Sequence, residues 1–358
     1  MSPVRHCLLL LAALATLAPP VFALVADRIL GLPARIVLAL SLPALAALGG
    51  IFLYTRRRQR EVSRLILCGL IGGLLGTVAL DAVRLVGVKL GAFPMDMPRM
   101  FGIIAAGQAP QFQTNTMATL VRFIADMPEE QRTIEMTKRL KFLASADETS
   151  RRAFMGAMLK GLLALPNEQR AMMVETQAEL ITTELPADDA RAVSESMSAI
   201  MAGTPTPAQF PSGIELFLRV PQVPMAVFRR AADVSYPETL EDTGSSDRRV
   251  AVLGYLWHFN IGATFGISYT LLFGSGSWPL ALGWGGFVWL AMMVLMPVMM
   301  PMIDFPWWFV VTPFVAHMAM AIPIGWVSLR YVGDGADRWS LLGMLRQERR
   351  ARHASPGG

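Results

Sequence analysis

Long apolar stretches limit what this 358-residue chain can fold into. Five of them are Ile36–Tyr54, Leu65–Leu90, Val250–Phe273, Trp278–Met300 and Trp307–Leu329. A helix rises 1.5 Å per residue, so about 20 apolar residues cross the roughly 30 Å hydrocarbon core of a bilayer. A sixth stretch lies within Met1–Ala26, where Arg5 precedes CLLLLAALATL, then Pro19, Pro20 and VFA. It fits a signal peptide with a charged start and a short apolar run. It also fits an uncleaved first span, because the apolar run extends to Val25. The expected fold is therefore all-α: a polytopic membrane protein with six spans, or five plus a cleaved signal peptide. A hydrophobic fraction of 53% against 16% charged residues, with a mean hydropathy of +0.44, excludes an ordinary soluble enzyme of this size.

Charge distribution orients these spans. Arg56, Arg57, Arg58, Arg60 and Arg64 crowd one short loop, and Arg330, Arg338, Arg346, Arg349, Arg350 and Arg352 fill the tail. Basic loops stay in the cytoplasm, so both segments are expected there. One span leads out from the arginine loop and three later spans return, so the two placements agree. Residues 91–247 then lie outside the cytoplasm, and hold 14 Lys and Arg against 20 Asp and Glu. The rest of the chain holds 18 basic and 7 acidic residues, so the basic balance belongs to the membrane part and argues against nucleic-acid binding. The expected setting is a bacterial inner membrane. Cys7 and Cys68 both fall in apolar segments and offer neither a disulfide framework nor a thiolate metal site.

Four regions follow: a membrane segment over 1–90, an extracytoplasmic helical domain over 91–249, a second membrane segment over 250–329 and a basic cytoplasmic tail over 330–358. Helix starts recur within the middle domain at Met127-Pro128-Glu129-Glu130, Leu165-Pro166-Asn167-Glu168 and Leu185-Pro186-Ala187-Asp188-Asp189. Proline suits a first helical turn, where its missing N–H would be unpaired, and acidic groups there face the positive end of the helix dipole. Ser145-Ala146-Asp147-Glu148 has capping-box form, with Ser145 as the cap. Apolar stripes follow each start, for example Ile134, Met136, Leu140 and Leu143, and predict short helices stacked as antiparallel neighbours in a bundle. Gly91–Gly107 and a stretch containing Pro205, Pro207, Pro211, Pro221 and Pro224 flank the bundle. With Phe210, Phe217, Leu218 and Phe228, they read as ordered loops at the bilayer surface.

Soluble catalytic signatures are missing: there is no Walker A motif, no GxGxxG, no HExxH and no Cys-x-x-Cys pair. Chemistry is instead sought inside the membrane. His258 lies in GYLWHFNIGATFGISY beside Asn260, about 12 Å from one end of its span at 1.5 Å per residue. His317 lies at a similar depth in the last span. Buried polar groups in lipid are costly and default to a functional reading, and Asp81 and Arg84, three residues apart, could form an ion pair in the third span. Met293, Met296 and Met320 bring thioethers to this level. Histidine with thioether suits copper(I), and two opposed histidines suit haem b iron. The plainer reading is that methionine simply fills an apolar, proline-interrupted helix.

Glycines at spacings of four or a multiple of four, Gly69 with Gly73 and Gly72 with Gly76 in one span and Gly254, Gly262 and Gly266 in another, mark faces for close helix approach. Gly254, His258, Gly262 and Gly266 share one face. Tyr255, Trp257, Trp278, Trp307, Trp308 and Trp326 read as interfacial aromatics. Two functions are expected. The first is a non-enzymatic assembly or accessory factor, anchored in the lipid bilayer and meeting a protein partner through the extracytoplasmic domain. The second is a transporter, or a copper- or haem-handling protein using His258 and His317.

Overall fold

The computed structural model describes residues 3–30, 32, 34–93, 97–204, 221–233, 246–299 and 307–354. The expected loop residues Pro205, Pro207, Pro211, Phe210, Phe217 and Leu218, and the end of the fifth span at Met300, fall outside them. Among the described residues the chain is helical throughout, with no strand. The elements are α1 (Pro3–Thr16), α2 (Ala18–Leu30), α3 (Ala34–Ala39), α4 (Ser41–Arg58), α5 (Arg60–Lys89) and α6 (Met97–Ala105). They continue with α7 (Ala109–Ala125), α8 (Glu129–Ser145), α9 (Glu148–Leu163), α10 (Asn167–Glu184), α11 (Ala187–Met201) and α12 (Met225–Asp233). Last come α13 (Ser246–Phe273), α14 (Trp278–Met299), α15 (Trp308–Tyr331), α16 (Gly333–Asp337) and α17 (Leu341–Ala354).

Two compact units result. One comprises Met1–Ala105, Val250–Met296 and Pro306–Gly358, and the other Ala106–Arg249 with Pro297–Phe305. Residues 91–105, expected with the middle domain, thus belong to the first unit. Five of its helical stretches are long and apolar enough to cross a membrane: Arg35–Arg58, Arg60–Lys89, Arg248–Phe273, Trp278–Met296 and Trp308–Tyr331. They mark a membrane protein. Cys7–Ala23 is apolar but shorter. It is interrupted at Leu17, where α2 restarts with Pro19 and Pro20 in its first turn, the place that tolerates a missing N–H. Proline also breaks the next stretch: Pro43 cannot donate to the carbonyl of Ala39, and the helix divides at Leu40 into α3 and α4.

The membrane unit is built around α5, which packs against α13 and α15 through two interleaved glycine pairs. A methyl group on Gly69 would sit 2.5 Å from the Ile267 Cα, and one on Gly73 would sit 2.9 Å from the Ala263 Cα. On the other side, a methyl on Gly72 would lie 3.2 Å from the Ile324 Cα, and one on Gly76 would lie 2.8 Å from the Met320 carbonyl. Such separations leave room only for hydrogen, so the backbones approach closely and gain dispersion contacts that lipid cannot replace. Thr270 adds a bond across the first interface, its Oγ1 donating to the Leu65 carbonyl at 2.8 Å.

At the Phe273 end of α13, the turn into α14 uses Gly274 and Gly276 at φ 67° and 63°, a backbone region that glycine enters without strain. Asp337 holds this turn, accepting from both Ser275 N and Ser275 Oγ at 2.9 and 3.0 Å. The GSGSW segment is therefore an anchored turn.

In the second unit, α8, α10 and α11 begin one residue after Pro128, Pro166 and Pro186. Each proline stands at the N-cap instead of within the first turn, with ψ near 150°. Its carbonyl accepts the first intrahelical bond, at 2.9 Å in all three cases. The α9 cap also differs from the expected one. Ser145 ends α8 and donates to the Phe142 carbonyl, while Asp147 caps α9 by accepting from Ser150 N at 2.9 Å. Asp147 directly precedes the first helical residue and its carboxylate reaches the free N–H of Ser150, whereas Ser145 lies two residues farther back and belongs to α8.

A further regularity ties these starts together. Arg132, Arg151 and Arg170 donate back to the carbonyls of Met127, Ala146 and Leu165, each five residues earlier, at 3.1, 2.7 and 2.9 Å. Each arginine satisfies a carbonyl in the connection before its own helix. The core of this unit gathers Ile124, Met136, Leu140, Leu143 and Phe154. Ile134, expected in that stripe, is 48% exposed, because it lies two residues from Met136 and so points away from it.

Candidate functional site

A buried charged cluster of the membrane unit forms between α5 and α13. Gly69 meets Gly266 and Gly73 meets Gly262, so the two helices run antiparallel. Continued by one turn, that register brings His258 level with Thr77. Helical side chains lean toward their own N-terminus, and this carries the Asp81 carboxylate down one turn to the same level. The result is a three-residue cluster. Asp81 Oδ1 accepts from Arg84 Nε at 2.8 Å and meets His258 Nε2 at 2.9 Å. Arg84 is only 1% exposed, and Asp81 and His258 are 9% exposed each. Because a buried charge without a counter-charge is costly in a membrane, Arg84 and Asp81 neutralise each other and the imidazole adds a third hydrogen-bonding group.

Aromatic rings wall off the cluster. The Phe101 ring of α6 lies 6.0 Å from the His258 ring and 5.1 Å from Trp257. Trp257 is itself buried, donating from Nε1 to the Pro20 carbonyl at 2.8 Å. It is therefore an internal strut between α13 and α2, which corrects its reading as an interfacial residue. Trp307, Trp278, Trp326 and Tyr255 are 77%, 45%, 49% and 39% exposed.

Other candidate residues take separate places. Asn260 is half-buried and makes no side-chain hydrogen bond among the described residues, so the partner of His258 is Asp81 and not its sequence neighbour. His317 on α15 is buried and its Nδ1 meets the Pro313 carbonyl at 2.7 Å. Proline at 323 and 313 interrupts the α15 ladder, although the Pro313 carbonyl is one that the His317 ring can reach one turn away. Met320 packs under Gly76 within an apolar cluster that includes Tyr269, Ala281 and Val288. Met296 is buried and Met293 half-buried. Among the described residues, no group of three or more His, Cys, Asp and Glu side chains is arranged to hold a metal. Gly254 abuts the carbonyl of Pro98 on α6, so the glycine-histidine face of α13 meets α6 at one end and α5 along the rest.

A second feature lies in the helical unit. Met136, Met155, Met158, Met173 and Met197 line a small cleft among α7 to α11 that opens to the surface. Arg139 forms one wall, donating to Glu135 Oε2 at 2.5 Å and to the Gln222 carbonyl at 3.2 Å. Burial pushes the Glu135 carboxyl up, but hydrogen bonds and positive charge from Lys138 and Arg139 outweigh this and hold it below its ordinary range. Sequence periodicity placed Met136 on an apolar stripe but could not show that these five methionines line one opening, which depends on how five helices stack.

Compared with protein-family models, curated proteins and solved structures, the chain matches none. Fold and site together define an all-helical membrane protein with a charged cluster inside its membrane unit.

Proposed function

We propose that this chain is a non-enzymatic integral membrane protein, an assembly or accessory factor that binds a protein partner through its helical unit. The methionine-lined cleft carries this reading. Methionine side chains are unbranched and polarisable, so such a lining can re-pack around an apolar segment of a partner. In this reading the arginine loop and the tail lie in the cytoplasm of a bacterial inner membrane, and residues 91–249 lie on the opposite side. A photo-reactive residue at Met158 or Met197 should cross-link one recurring partner in intact cells. The same residue at Glu175, on the exposed face of α10, should not. Equal labelling from all three positions would refute the reading.

A second reading, a transporter or a copper- or haem-handling protein, is favoured by the Asp81–His258 contact. A carboxylate that fixes one ring nitrogen leaves the other directed for metal or proton exchange. Metal analysis and an optical spectrum of the purified protein test the metal branch: a metal-free, spectrally silent protein that retains its activity in cells would remove it.

A further inference from the structure

We propose that the arginines where α4 meets α5, together with those of α17, form a docking surface for anionic phospholipid headgroups. The inference concerns the membrane unit and does not depend on partner binding by the helical unit.

Basic residues anywhere in a loose loop would serve to orient the spans, but the structure leaves no loose loop here. Helix α4 ends at Arg58, α5 begins at Arg60, and Gln59 alone joins them. Arg56, Arg57 and Arg58 thus occupy the last turn of one spanning stretch, and Arg60 and Arg64 the first two turns of the next. All five are exposed. Arg64 stands about 6 Å into α5 at 1.5 Å per residue. Helical side chains lean toward their own N-terminus. In α4 that lean carries three guanidiniums back along the span, and in α5 it carries Arg64 outward, so the five converge on one level. A methyl group on Gly333, just beyond the end of α15 at Tyr331, would lie 3.8 Å from Arg64 Nη1. That level is therefore also the end of a third span, which is headgroup depth for helices whose apolar parts fill the hydrocarbon core.

The tail rests on the same base. Phe52 of α4, Val62 of α5, Val332, Ala336, Trp339 and Met344 belong to one apolar cluster. Met344 seats the start of α17 on it, and Arg346 and Arg349 follow as exposed residues.

This positive charge is not answered within the protein. Among the described residues, none of the five junction arginines forms an ion pair. The acidic residues of the two segments are Glu61, Asp334, Asp337 and Glu348, and Asp337 is committed to Ser275. Arg60 also stands in the first turn of α5, where the helix dipole disfavours a cation and favours an anion. A lipid phosphodiester meets both demands. Guanidinium binds phosphate oxygens through two parallel N–H bonds, and clustered arginines at span ends attract anionic headgroups at the depth these five reach.

The test is thermal unfolding of the full-length protein in neutral detergent micelles, followed by tryptophan fluorescence while phosphatidylglycerol or phosphatidylcholine is added. Phosphatidylglycerol should raise the unfolding temperature and phosphatidylcholine should not. Glycerophosphoglycerol, the same headgroup without acyl chains, should give no shift at equal concentration, which separates a lipid surface from a site for free phosphate esters. The triple variant Arg57→Gln, Arg58→Gln, Arg60→Gln should need at least roughly tenfold more phosphatidylglycerol for half the shift. Lys89→Gln, Arg248→Gln, Arg249→Gln removes the same charge from the other ends of α5 and α13 and should respond as the wild type does. Equal shifts from the two lipids, a shift from glycerophosphoglycerol, or like responses of the two triple variants would each overturn the proposal. Should the first variant fail to insert, arginine labelling of the wild type with phenylglyoxal decides. Phosphatidylglycerol should shield the junction arginines and leave Arg248 and Arg249 as reactive as before, and equal shielding of both sets would overturn the proposal.

Discussion

Alanine in place of Gly266 sets two effects of opposite sign against each other on one helix. In an unobstructed helix interior, alanine is favoured over glycine by about 1 kcal/mol. At Gly266, however, the added methyl would lie 2.5 Å from both the Cα and the N of Gly73 and against the Gly69 carbonyl. All three are backbone atoms, so no side chain can rotate aside. Helices α5 and α13 must separate by on the order of 1 Å, and overpacking of this kind costs about 1–3 kcal/mol. The absence of any movable neighbour places it near the upper end, with a net loss of about 2 kcal/mol after the helix-propensity gain.

Gly283 provides the internal control, because a methyl there meets nothing within 4 Å. Gly283→Ala should therefore be neutral or stabilising by up to about 1 kcal/mol. Reversible unfolding in mixed micelles, followed by tryptophan fluorescence, measures the two variants side by side. Equal stability of Gly266→Ala and Gly283→Ala would refute the close α5–α13 approach on which the placement of His258 against Asp81 depends.

Further outcomes follow from other sites. Asp147→Ala should destabilise the helical unit by about 1 kcal/mol at neutral pH, whereas Ser145→Ala should change little, as urea titration of the two would show. Hydrogen bonds from the side chain and backbone of Ser150 hold the Asp147 carboxyl below its ordinary value. Its contribution is therefore complete above the unfolded aspartate value of about 3.9 and is lost as pH falls through the lower folded value, so wild type and Asp147→Ala should converge in acid. Arg151 reaches the carbonyls of Leu143, Ala146 and Ala192, and Arg151→Lys, which cannot span them, should cost about 1–3 kcal/mol in the same titration. Asp337→Ala should release the Gly274–Ser277 turn, seen as faster amide exchange at Ser275 without change at Thr270; unchanged exchange at Ser275 would contradict the anchoring role.

Much of the membrane unit was legible because its signals are local. A run such as Arg60–Lys89 declares a spanning helix by length and hydropathy alone, and its glycine spacing declares close contacts. Which helix each glycine meets was not legible. Gly69 and Gly73 face α13 while Gly72 and Gly76 face α15, and only the arrangement of three helices separates the two pairs. The same limit hid the Asp81–His258 contact. Asp81 and Arg84 were readable as neighbours on one turn, but His258 lies 177 residues away and its role depended on the register of two interfaces. Trp257 misled because its position near a span end resembles an interfacial residue, while its indole is committed to Pro20 far along the chain.

Sequence by itself determined the helical class, the five long apolar segments and the proline-marked helix starts of the middle domain. Those properties follow from backbone hydrogen bonding within a segment and from the energy of transfer into lipid, which depend on neighbouring residues alone. Tertiary structure decided the cap at Asp147, the arginine ties to Met127, Ala146 and Leu165, the methionine cleft and the Asp81–Arg84–His258 cluster. These depend on which backbones approach within a few ångströms, and for His258 that approach was set by glycines that carry no side chain of their own.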